Sequence, residues 1–101
     1  FLDAAMLGVA EGLAGGITTY GDTEPGEAAF TAMLRLGVRG IAYREVFGPD
    51  PEQCAASLAT LKDQIAAMRE RATGRVRIGV SPHAPYSVSD ALFRAVATWA
   101  K

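Results

Sequence analysis

The chain is poor in the groups most often used for chemistry. Among 101 residues it has one histidine, His83, and one cysteine, Cys54. A single cysteine excludes an internal disulfide and fits a reducing compartment, so the expected location is cytoplasmic. There is no His-x-His, no His-Glu-x-x-His and no cysteine pair, and one histidine alone does not make a metal site. The absence of a Gly-x-Ser-x-Gly elbow argues against a serine hydrolase. Gly12, Gly15 and Gly16 precede a β-branched run, whereas a phosphate-binding glycine loop follows one. No apolar run approaches the roughly 20 residues of a membrane span, and no charged segment precedes an apolar one at the N-terminus. With a formal net charge of −1, neither nucleic acid nor an anionic membrane is an expected partner.

What is present is a globular composition, 50% hydrophobic and 21% charged, enough for one small domain with a single core. The chain starts at Phe1 without a methionine and stops at Lys101 just after an apolar helical pattern, which raises the expectation of a piece of something longer. Residues 3–13 carry apolar side chains at helical spacing, with Gly15-Gly16 as the stop. Residues 17–20 read as a strand and 21–26 as turn chemistry. A helix over 27–36 stops at Gly37, and a nearly continuous apolar strand spans 38–46. Asp50 and Pro51 suit the cap and first position of a long helix to residue 72, whose stripe is Leu58, Leu61, Ile65, Met68 and Ala72. A third strand runs from about residue 75 into Pro82. The last helix then starts at Ser87 or Ser89, Ser87 with Asp90 resembling a capping box, and packs through Leu92, Phe93, Val96 and Trp99.

Strands alternating with helices predict an α/β fold with a parallel sheet and right-handed crossovers. Two architectures fit: a small open sheet, or one arc of a (β/α)8 barrel. The short strands favour the arc, three strands of a fold that needs about 250 residues.

Arg44, Glu45 and His83 each fall at or just past the carboxyl end of a predicted strand, the edge where parallel α/β folds bind ligands. Pro82 and Pro85 fix the backbone on either side of His83, so its ring stands on a stiff corner. These three are the candidate substrate-binding residues. A plainer account makes His83 a structural histidine and Arg44 with Glu45 a rim ion pair, which contributes under about 1 kcal/mol when exposed. Adjacent strand residues also point to opposite faces, so Arg44 and Glu45 share an interior only if the strand bends. Asp22 suits a turn or helix-cap device, and Cys54, early in a helix without an activating base, is expected to be structural.

The stretch Val80-Ser81-Pro82-His83-Ala84-Pro85-Tyr86-Ser87-Val88-Ser89 resembles the Pro-His-Ala-Pro-Tyr-Thr/Ser signature of the amidohydrolase superfamily, in its branch of adenosine-type deaminases and triazine chlorohydrolases. Gly16-Ile17-Thr18-Thr19-Tyr20-Gly21-Asp22 and Gly37-Val38-Arg39-Gly40-Ile41-Ala42-Tyr43-Arg44-Glu45 are similar to two strands of that branch, in matching order and spacing. The resemblance implies a barrel in which these are the second to fourth strands. It also implies a divalent metal, zinc in many members, that activates water to attack a ring or amide carbon. The metal's ligands lie on strands absent here, so no metal ligand and no catalytic residue is assigned within the segment. The family's histidine matching His83 contacts substrate, and the arginine matching Arg44 reaches towards it in some members. A second arginine that some relatives carry in the next loop is replaced by Gly48-Pro49-Asp50, a departure from the adenosine-type pattern. The expected partners are a small-molecule substrate and the remainder of the barrel, with a homo-oligomer left open. The competing class is a small non-enzymatic α/β module that holds an anionic ligand through His83 and Arg44.

Overall fold

A computed structural model describes residues 1–101. Its elements follow the order α1 (Leu2–Ala14), β1 (Thr19–Glu24), α2 (Ala28–Leu36), β2 (Arg39–Val46), a 3-10 turn (Pro51–Gln53), α3 (Cys54–Arg71), β3 (Val76–Pro82) and α4 (Asp90–Trp99). The three strands form one sheet in the order β1-β2-β3, and both pairings are parallel. This is the alternating α/β unit that the sequence predicts.

The helices cover one face of the sheet. On β2 the alternate residues Gly40, Ala42 and Val46 are buried. Ala42 belongs to a core with Phe30 and Met33 of α2 and Met68 of α3, while Val46 joins Leu61, Ile65 and Leu92 in a second cluster. Complete burial of each such large side chain contributes roughly 1.5–3 kcal/mol, which decides the face that the helices occupy. Gly40 permits a close approach of α2 to the sheet. A Cβ there would lie 2.5 Å from Met33 Sδ and 2.7 Å from the Tyr20 carbonyl oxygen. The other face, with Ile41, Tyr43 and Glu45, carries no helix. Tyr43 lies against Gly79 of β3, where a Cβ would come within 2.5 Å of its ring.

Two boundaries differ from expectation, and the structure chooses between two alternatives at a third. β1 begins two residues late and runs through the expected turn at 21–24. The Ile17 N–H donates to Gly12 O at 2.9 Å, so the start of the expected strand belongs to the wrap that ends α1. Residues 21–24 pair instead with Ile41 to Arg44 of β2. The long helix opens with a 3-10 turn, in which Asp50 accepts from Glu52 N at 2.9 Å, and becomes α-helical at Cys54. Of the two serines expected to open α4, the cap is Ser89, whose hydroxyl accepts from Leu92 N at 3.3 Å, and the capping-box pairing of Ser87 with Asp90 does not form. Gly37 closes α2 in the left-handed conformation at φ 64°, as expected of a glycine stop.

Candidate functional site

The rim at the carboxyl end of the sheet is built around the corner after β3. Pro82 ends the strand opposite Val46, and the next N–H, that of His83, donates to Val46 O at 3.1 Å. Further on, Gly48 N donates to Ser87 O at 2.9 Å and Ser89 N donates to Gly48 O at 2.7 Å. The corner is therefore stitched at three points to the end of β2 and the loop after it, in addition to the stiffness of its prolines.

These bonds set the His83 ring among three neighbours. It lies against Phe47 with centroids 4.6 Å apart and planes at 31°, and Tyr86 meets it edge-on at 5.9 Å. Nδ1 is 2.7 Å from Ser87 Oγ. Tyr86 is 83% exposed and Phe47 42%, so the imidazole sits on an aromatic shelf open to solvent. An exposed shelf of this kind suits a flat, partly polar ligand, because aromatic faces contribute area and the imidazole contributes a directional hydrogen bond.

Glu45 occupies the helix-free face of β2, opposite Ser81 of β3, in alternation with Tyr43. Arg44 points the other way. Its Nε donates to Gln64 Oε1 of α3 at 3.0 Å and its Nη1 donates to Gly26 O in the loop before α2 at 2.7 Å. The chain's one ion pair joins Arg71 to Glu27, so the rim pair between Arg44 and Glu45 does not form. A cleft of about 580 Å³ runs along the end of β2, lined by Arg44, Glu45, Phe47, Ser57 and Gln64, and His83 is not part of its wall. The three rim candidates thus do not meet in one pocket. Unbroken pairing with β3 through Arg44, Glu45 and Val46 maintains the alternation that directs the Arg44 and Glu45 side chains to opposite faces.

Asp22 is a strand residue and caps no helix. That role falls to Glu24, whose Oε1 accepts from Ala29 N at 2.8 Å and Phe30 N at 3.4 Å. Nothing in local propensity singles out Glu24, but a carboxylate just ahead of Pro25-Gly26 is the available signal. Phe47, Tyr86 and Ser87 also went unassigned as neighbours of the histidine. Phe47 extends the β2 alternation from Glu45, and Ser87 stands four residues beyond His83. Cys54 is half-buried against the second core cluster, as a structural residue would be. No three His, Cys, Asp or Glu side chains come together as metal donors. No helix is long and apolar enough to cross a membrane.

No protein-family model matches the chain. It is 36% identical over 83 residues to a 5-methylthioadenosine/S-adenosylhomocysteine deaminase of Symbiobacterium thermophilum, which is 80% of this chain and 19% of that protein. Among solved structures it superposes on a triazine hydrolase variant with a TM-score of 0.77 and 25% identity, over 98% of this chain and 26% of that one. A zinc-complexed atrazine chlorohydrolase of Arthrobacter aurescens superposes with the same TM-score at 24% identity, again over 98% of this chain and 27% of the other. The chain is a deaminase-like and triazine-hydrolase-like segment of amidohydrolase type. This segment spans about a fifth of the length of the curated relatives it matches. The anion-binding module is not favoured, because the Arg44 guanidinium is already taken up by Gln64 and Gly26.

Proposed function

We propose that the amidohydrolase-type segment is the second-to-fourth-strand arc of a (β/α)8 barrel in a metal-dependent hydrolase that deaminates, or cleaves a related C–N bond of, a small heterocyclic substrate. The relatives named as deaminases and the triazine hydrolase neighbours support this chemistry. The observation that carries the reading is the His83 corner: an exposed imidazole, rigidly stitched to the carboxyl rim, on an aromatic shelf. A divalent metal, zinc by analogy with the zinc-complexed neighbour, would supply an activated water. No three donors come together among these residues, and its ligands would come from outside the segment.

The segment's own residues bind and orient. His83 offers a hydrogen bond to a ring heteroatom or amino group, and its fixed position spares the entropy of ordering it on contact. Glu45, on the helix-free face, can accept from a substrate N–H or O–H. Arg44 braces α3 and the loop before α2, and a contact with substrate would require it to leave both partners. The test is His83→Ala in the complete protein, with metal content and turnover measured in one preparation on aminated purines, pyrimidines and triazines. Metal should be unchanged, and kcat/KM should fall by roughly one to three orders of magnitude, the worth of one charge-assisted hydrogen bond and its stranded partner. Unchanged turnover on the best substrate, or metal lost in step with activity, would overturn the assignment.

A further inference from the structure

The oxygen of Ser87 stands between two groups that make different demands on its single proton. Oγ is 2.7 Å from His83 Nδ1 and 3.2 Å from the Ala84 carbonyl oxygen. A carbonyl can only accept, whereas a neutral imidazole nitrogen accepts or donates according to its tautomer. If Nδ1 carries the proton, it donates to Oγ and Oγ donates to Ala84 O, so both contacts are hydrogen bonds. If Nδ1 is bare, the hydroxyl proton must turn to it, and the oxygen of Ser87 then faces the carbonyl oxygen lone pair to lone pair. The first arrangement satisfies every group and the second leaves a repulsion.

The serine has little freedom to escape this choice. Its N–H donates to the same Ala84 carbonyl at 3.0 Å, and its own carbonyl accepts from Gly48 N at 2.9 Å. Its backbone is thus pinned on both sides, and the hydroxyl is held four residues beyond the imidazole it serves. Cap duty for α4 belongs to Ser89, which leaves the Ser87 hydroxyl available.

We propose that Ser87 is a positioning residue that holds neutral His83 as the Nδ1–H tautomer, so that Nε2 presents a lone pair to substrate. The ligand this selects is a heterocycle with an N–H, amino or O–H donor at that point, in preference to one offering only a bare acceptor. This deepens the assignment of His83 to substrate and rests on it, but the tautomer is a property of the free protein and is measured separately.

The experiment uses the complete protein with 15N-labelled histidine, above the titration of the imidazole. The His83 resonances are identified by their loss in His83→Gln. In the unsubstituted protein Nδ1 should show the protonated, pyrrole-like shift and Nε2 the bare, pyridine-like one. Ser87→Ala should move the pair towards the opposite or a mixed tautomer, and Ser87→Thr, which keeps the hydroxyl, should restore it. Circular dichroism of both variants should match the parent. Turnover should track the spectrum, with kcat/KM reduced roughly tenfold in Ser87→Ala, about one ordinary hydrogen bond, and recovered in Ser87→Thr. A protonated Nε2 in the parent, or a tautomer unmoved in folded Ser87→Ala, would overturn the role of Ser87. A tautomer that moves while turnover does not would instead overturn the substrate contact of His83 on which the ligand preference depends.

Discussion

Arg44 is the residue on which geometry and family resemblance diverge most, and one perturbation series separates them. The resemblance implies an arginine reaching towards substrate. The structure has it tying α3 to the loop before α2, through Nε to Gln64 at 3.0 Å and Nη1 to Gly26 O at 2.7 Å. A hydrogen bond from a charged donor contributes about 1.5–3 kcal/mol when shielded. The bond to Gln64 is partly buried and falls at the low end of that range, whereas the bond to Gly26 is exposed and is worth no more than about 0.5 kcal/mol. Arg44→Ala should therefore cost about 2 kcal/mol. Gln64→Ala should cost about 1 kcal/mol, because the guanidinium it leaves behind can be hydrated from the adjoining cleft. The double variant should cost less than the sum by about 0.5–1 kcal/mol, the coupling expected of residues in direct contact. Arg44→Lys should recover under half of the loss, since an ammonium cannot reproduce two bonds in the fixed geometry of a guanidinium.

The assay is urea unfolding of the complete protein, with the midpoint read at an unchanged slope, beside steady-state kinetics on the same samples. A bracing residue moves the midpoint and leaves kcat/KM within a few-fold. If Arg44→Ala instead lowers kcat/KM by a hundredfold with an unmoved midpoint, and Gln64→Ala does nothing, the arginine serves substrate and the bracing account is wrong.

Glu24→Ala should cost about 1–2 kcal/mol, because it strips the acceptor from the first-turn amides of Ala29 and Phe30, and Glu24→Gln, which keeps an acceptor oxygen, should cost less than half of that by the same unfolding assay. Gly40→Ala should cost about 1–3 kcal/mol by overpacking against Met33 Sδ and the Tyr20 carbonyl, and combination with Met33→Ala should give less than the summed loss, since half of the clash is removed; strict additivity in thermal or urea unfolding would show that the sheet and α2 can separate freely.

The elements that could be read from the sequence are those whose signal is carried by their own residues. The stripe of Leu61, Ile65 and Met68 is buried where helical spacing put it, and Gly37 closes α2 in the conformation that glycine permits. β1 was displaced because its signal is not its own. Gly21-Asp22-Thr23-Glu24 has turn chemistry, but all four residues continue the pairing to β2 that Thr19 and Tyr20 begin, and the ladder overrides local preference. The same distinction runs through the rim. Prolines marked the His83 corner from within, and alternation already put Arg44 and Glu45 on opposite faces. The partner of Arg44 was hidden because Gln64 lies 20 residues away, as a polar side chain along the edge of the apolar stripe of α3.

The two serines ahead of α4 show how a small ambiguity in local structure becomes a difference in chemistry. Ser87 with Asp90 and Ser89 with Leu92 are both plausible openings for the helix, and a serine can serve only one end at a time. Ser89 is the buried one, 8% exposed, and its hydroxyl satisfies a helix amide. Leaving that amide unsatisfied in a buried helix end would cost about 1 kcal/mol, which fixes the helix start two residues later than the capping-box spacing suggests. Ser87 is thereby released from the helix and turned towards Nδ1 of His83. The placement of one cap thus decides which hydroxyl lies beside the imidazole, and links the boundary of a helix to the tautomer proposed for the only histidine.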